Sequence, residues 1–193
     1  MNIITQMITQ RIAGGAASQI AQRLGVSEGT AQTAVQLAVP LILAALARNA
    51  SRPQGAQELH EAVATDHNGS ILDNLVGHLQ NPQAANGSGI LGHVLGEQRP
   101  TVENNLAQVT GLNQNSAGSL LEMVAPLVMG AVGREQQQHH LDADGLSQFL
   151  GQQQEEAQAE QPGLMGTLSS MLDSNRDGNG TDDLSRIAGN FFK

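Results

Sequence analysis

GVSEGTAQTAVQLAVPLILAALARN, residues Gly25–Asn49, decides the fold because it occurs twice. Adding 86 to Gly25, Ala31, Pro40, Leu41, Ala45 and Arg48 gives Gly111, Ala117, Pro126, Leu127, Ala131 and Arg134, all identical. Between proline and arginine, PLILAALAR and PLVMGAVGR differ only by conservative exchanges. The register runs back without a gap, pairing Ile20 with Leu106, Ile8 with Val94 and Ile4 with Ile90. An uninterrupted repeat over residues 4–50 and 90–136 is the signature of a duplicated helical unit.

Each copy carries its own helix signals. Gly25 suits a left-handed helix end, and Ser27 is placed to cap the next helix, as Asn113 is in the second copy. Val35, Val39, Ile42 and Leu46 recur at steps of three and four, echoed by Leu121, Ala125, Val128 and Val132, which predicts a packed helix face. Pro40 and Pro126 fall inside these patterns, where each removes a backbone hydrogen bond and predicts a kink. The expected fold is all-α, a duplicated unit built on two Pro-kinked core helices with a short helical tail.

Outward from the repeat, residues 2–23 read as a first helix that Gly14-Gly15 weakens or splits. Residues 50–55 read as a loop, followed by short helices near 56–64 and 70–80. NPQAANGSG (81–89) reads as a linker, and Arg99-Pro100 as a break in the helix that starts at Ile90. A short helix is expected at 145–152, then a low-complexity, acidic, exposed stretch at 151–163 that is a frayed helix or linker, and tail helices at 164–172 and 182–191. The division is a first repeat over 1–80, a linker over 81–89, a second repeat over 90–152, and an acidic linker and tail over 153–193.

Composition narrows the function. The net charge is −9 and the only lysine is Lys193, so the cations that neutralise nucleic-acid phosphates or anionic membranes are missing. Aromatics are 2%, which leaves few platforms for stacking bases. With no cysteine there is no disulfide, thiolate metal site or thiol nucleophile. The opening MNIITQMITQRIAGG lacks the apolar run of a cleaved leader, and a cytoplasmic location is expected. The longest apolar run, Leu37 to Ala47, is eleven residues against the roughly 20 that span a bilayer. It reads as a buried core helix.

Three constellations remain. IAQRLGVSEGTAQTAV (20–35) has the outline of a DNA-reading helix-turn-helix, but the second helix opens with Ser27, Glu28, Gly29, Thr30, Ala31 and Gln32, with no cation. DNA binding by this hairpin is the alternative reading. The loop DSNRDGNGTDDL places Asp173, Asn175 and Asp177 at positions 1, 3 and 5 of a calcium loop, Gly178 at the sharp turn and Asn179 at the backbone-carbonyl position. Leu184 replaces the closing bidentate Glu, leaving Asp183 to close a tighter loop. Calcium is the cofactor this loop would take; the bland reading is an Asx-turn linker. The histidines His60, His67, His78, His93, His139 and His140 follow no metal spacing. A hydrolase would need His60, His67 or His139 to converge with carboxylates such as Glu61 or Asp66. Arg48 and Arg134, at the ends of the repeated helices, are expected to complete the C-terminal dipole and bond free carbonyls.

The strings LGVSEGTAQTAVQLAVPLILAALARNA, HNGSILDNL, GSGILGHVLG and TGLNQNSAGSLLEMVAPLVMGAVGRE resemble the bacterial domain-of-unknown-function family 937, also called YidB-like, over roughly residues 20–190. The tail is similar to the acidic DxDxDG…DD ending of many members, with Asn175 in place of an Asp. The resemblance implies a small all-α bacterial protein and brings no catalytic residue. The resulting expectation is a non-enzymatic protein that acts through contacts with a protein partner or a second copy of itself.

Overall fold

The computed structural model describes residues 3–160, all of whose regular structure is helical. The chain opens with α1 (Ile3–Arg11), a wide π-helical turn (Ile12–Ala16) and α2 (Ala17–Leu24), so the Gly14-Gly15 pair does split the first helix. Gly15 has φ 117°, a conformation that glycine adopts without a Cβ penalty. Gly25 then ends α2 in the left-handed region, and the Ser27 side chain accepts from the Thr30 N–H at 3.1 Å to start α3 (Glu28–Ala50). The second copy has the same local parts. Gly111 is left-handed at the end of α7 (Arg99–Thr110), and Asn113 accepts from the Ser116 N–H at 2.8 Å to start α8 (Gln114–His139).

The two long helices pack together and share one hydrophobic core with residues from Ile4 to Leu150. More than one face of each is buried. In α3, Leu41, Leu43, Ala44 and Ala45 are buried as well as the four residues of the expected stripe. Such all-round burial marks a central helix rather than a surface one. An 18-residue window of α3 has mean hydropathy 1.6, and one of α8 has 1.4. By length and composition both could therefore cross a bilayer, which corrects the reading from the eleven-residue run. What supports the core reading is burial, 72% of the α3 window and 83% of the α8 window.

Pro40 and Pro126 both lie inside helices assigned as continuous. A proline leaves the carbonyl four residues earlier without its helical partner, so Pro40 frees that of Gln36 and Pro126 that of Glu122. Gln36 is an exposed residue. The Glu122 carbonyl is instead approached by Gly87, where any Cβ would overlap it.

Between the copies, α4 (Pro53–Thr65) starts three residues earlier than the sequence suggested, because Pro53 occupies the first helical turn, where its missing N–H costs nothing. A 3-10 turn (Ser70–Leu72) and α5 (Leu75–Gln80) follow. The stretch read as a linker holds a 3-10 turn (Pro82–Ala85) and the start of α6 (Gly87–Leu95). The break expected at Arg99-Pro100 lies upstream, at Gly96–Gln98, and Pro100 sits in the first turn of α7.

The last described helix, α9 (Ala143–Glu160), is longer than the expected 145–152. Its glutamines, alanines and glutamates are good helix formers. Leu146 and Leu150 anchor it to the core. The Ser147 hydroxyl donates to the Ala50 carbonyl at 2.8 Å, and the Ile3 N–H donates to the buried Gln153 side chain at 3.0 Å. The stretch expected as an exposed frayed helix or linker is helical to Glu160, with Gln153 buried and Gln152, Glu155 and Glu156 exposed. The expected tail helices and the calcium-like loop lie outside the described residues.

A cleft between α4 and α6

A partly apolar cavity of about 330 Å³ is lined by α4 and α6, with Leu46 and Asn49 of α3 and Met129 of α8. Leu46, Leu59, Ile90, Val94 and Met129 give it apolar walls. Its polar groups come from Asn49, Arg52, Glu58, His67, Asn86 and His93. A second cavity of about 380 Å³ shares His67, Asn86 and Ile90 with it and is bordered by Asp66, Asn68 and Ser70. Concave sites of this size, apolar with a few polar groups, are the usual form of binding sites.

Most of the polar groups have assigned partners. Asn49 Nδ2 donates to the Val94 carbonyl at 2.9 Å, tying α3 to α6, and its Oδ1 accepts from Arg52 Nη2 at 3.0 Å. Glu58 Oε1 accepts from Gln54 Nε2 at 2.9 Å, and Glu58 Oε2 faces His93 Nε2 at 3.4 Å across the mouth. Asn86 starts α6 from a left-handed conformation, φ 51°. His67 is half-buried; burial pushes its pKa below the ordinary histidine value, against a smaller upward pull from Asp66.

The histidines scatter in part. His67 and His93 reach the cleft with Glu58, while Asp66 borders only its neighbour. His60 meets Gln136 at 3.2 Å, and His139 faces the buried carboxylate of Glu135 at 3.4 Å. His78, in α5, is buried against α8, its Nε2–H donating to the Met123 carbonyl at 3.0 Å, and burial lowers its pKa. Among the described residues no group of three or more His, Cys, Asp or Glu is placed to hold a metal ion. The calcium candidates Asp173, Asn175, Asp177, Asn179 and Asp183 all lie outside the described residues.

The repeated arginines also reach outside their own helices. Arg134 Nη2 donates to the Gly69 carbonyl at 2.9 Å and to Asp73 at 2.7 Å, and Arg11 approaches the same Asp73 at 3.6 Å. The Arg134 hydrogen bond holds the Asp73 carboxyl below its ordinary pKa. Arg48 Nη2 donates to Gln98 at 2.8 Å. Each arginine thus reaches from its own copy into the other half of the chain.

Arg52 drew no notice in the sequence. A signal was available in Arg52-Pro53, which marks a helix start with a cation at its positive end. The cleft itself was not legible, since its walls are separated by tens of residues in the chain.

No curated protein and no solved structure matches the chain. The model of the family described as "Bacterial protein of unknown function (DUF937)" matches residues 6–135, from α1 to near the end of α8, and stops short of the tail. The chain belongs to that family.

Proposed function

We propose that the protein is a non-enzymatic, soluble binding protein of the bacterial cytoplasm that acts through protein contacts at the α4–α6 cleft, and that its C-terminal loop takes calcium. The observation that carries the reading is the cleft's construction. Its walls are apolar, the Asn49 side chain ties α3 to α6, and Glu58 of α4 is held by Gln54 of its own helix and faces His93 of α6. Groups committed in this way favour holding a partner over turning over a substrate. A second copy of the chain is one partner such a cleft could take, and another protein is the other.

Light scattering across a concentration series, with capture of partners from a bacterial lysate, tests the reading. Ala62, half-buried on the α4 wall, is the position to block. Self-association or a captured partner that is lost in Ala62→Arg, with an unchanged melting temperature, is expected. A strict monomer that captures nothing would sink the reading.

A further inference from the structure

One guanidinium, that of Arg52, lines the cleft. Arg52 stands at the N-cap of α4, a helix with no side-chain cap and no acidic residue in its first turn. The positive pole of a helix favours an anion, so a guanidinium there is electrostatically misplaced unless an anion joins it. Asn49 aims this guanidinium at 3.0 Å, and Asn49 is itself fixed by the Val94 carbonyl. A guanidinium has five N–H donors and can grip a carboxylate with two of them. Of the two acids on the same helix, Glu58 is the one that lines the cleft, and it is taken by Gln54 and His93.

The apolar walls are Leu59, Ile90, Val94 and Met129. The adjoining cavity is more polar, bordered by Asp66, His67, Asn68 and Ser70 beside Ile71. A uniform acyl chain suits only the first part. A peptide with apolar last residues, polar residues before them and a terminal carboxylate suits both.

Resting on the cleft-binding reading above, we propose that the α4–α6 cleft captures the free C-terminus of a partner protein. The α-carboxylate sits on Arg52, and the last apolar side chains lie against Leu59, Ile90 and Met129. Terminal-carboxylate capture is one of the recurring modes of peptide recognition.

Fluorescence anisotropy tests this with a labelled hexapeptide of sequence serine-asparagine-glycine-alanine-leucine-valine, as free acid and as C-terminal amide, against the wild type, Arg52→Gln and Ala62→Arg. Decanoate serves as the lipid-like arm. The free acid is expected to bind at least ~10-fold tighter than the amide, the step that loss of a charge-assisted pair produces. Arg52→Gln is expected to bring the acid to the level of the amide, and Ala62→Arg to weaken both. Arg52 is exposed, so its removal leaves the fold intact, which the melting temperature checks. Equal binding of acid and amide, both weakened by Ala62→Arg, overturns carboxylate capture while leaving the cleft as a protein-binding site. Binding of decanoate but of neither peptide overturns the peptide occupant in favour of an acyl chain. Binding of none of the three overturns the inference, and the cleft reading then stands or falls on partner capture.

Discussion

Gly87, the first residue of α6, packs against the carbonyl of Glu122, the one that Pro126 leaves without a helical partner in α8. No side chain fits between them, because a Cβ on Gly87 would overlap that oxygen. Gly87→Ala is therefore expected to destabilise the protein by about 1–3 kcal/mol, as overpacking of a tight contact does. Gly92 lies in the same helix with nothing within 4 Å of a built Cβ. There Ala should stabilise by roughly 0.5–1 kcal/mol through backbone entropy. Urea denaturation of the two variants gives opposite signs if the contact is as described. Equal effects would refute it.

Arg99 joins three helices. Its Nε donates to Glu103 at 2.7 Å, its Nη1 to the Ser88 hydroxyl at 2.9 Å, and its Nη2 to Glu122. The Glu103 hydrogen bond, more than that of Glu122, raises the Arg99 pKa. Arg99→Leu leaves the two carboxylates without their shared cation. With the Arg99 and Glu103 side chains only 24% and 15% exposed, the expected cost is about 1.5–3 kcal/mol at pH 7, the range for hydrogen bonds to charged groups. Adding Glu122→Gln to Arg99→Leu should recover part of the loss. A double variant no more stable than the single one would show that the carboxylates do not repel.

Much of the frame was legible because its causes are local. Gly25, Ser27, Gly111 and Asn113 mark helix ends by conformation and capping alone, and the structure places each in that role. Gly14-Gly15 announced a break, although not its π-helical form. What escaped depends on distant partners. Gly87 and its Asn-Gly-rich neighbours read as linker because the Glu122 carbonyl that needs the glycine is 35 positions away. Gln153 read as exposed because its partner, the Ile3 N–H, lies at the other end of the described chain. Pro100 read as a breaker although it begins a helix, since a proline alone does not say on which side of it the helix lies.

His78 and His67 make stability depend on pH. Burial lowers both folded-state values from the ordinary value of about 6.5. As pH falls through that value the unfolded chain takes up protons that the folded protein still refuses, so stability falls with it. The contribution is complete above pH ~6.5 and is lost as pH falls through the folded-state values. The urea midpoint should be level between pH 7 and 8 and should decline from about 6.5 toward 5, above the range where the carboxylates titrate. His78→Gln, which keeps a donor for the Met123 carbonyl, should soften the decline. A midpoint that stays flat or rises on acidification would contradict this assignment.

Calcium binding by the tail rests on sequence alone, and the departure from the usual loop sets the expected outcome. Asp173, Asn175 and Asp177 offer side-chain oxygens and Asn179 a backbone carbonyl, while Leu184 stands where a bidentate Glu would close the shell. Asp183, one residue early, has to close the loop instead. With fewer anionic ligands than a sensor site, affinity should fall toward the ~10⁻⁴–10⁻³ M range of weak modules. Calorimetric titration of calcium should show one such site, abolished in Asp173→Ala and weakened in Asp183→Asn. Magnesium should bind more weakly still, because it demands a tighter octahedral shell than a ligand set without the closing Glu offers. Heat that persists unchanged in Asp173→Ala would place any ion elsewhere, and no heat in either protein would leave the stretch as an Asx-turn linker.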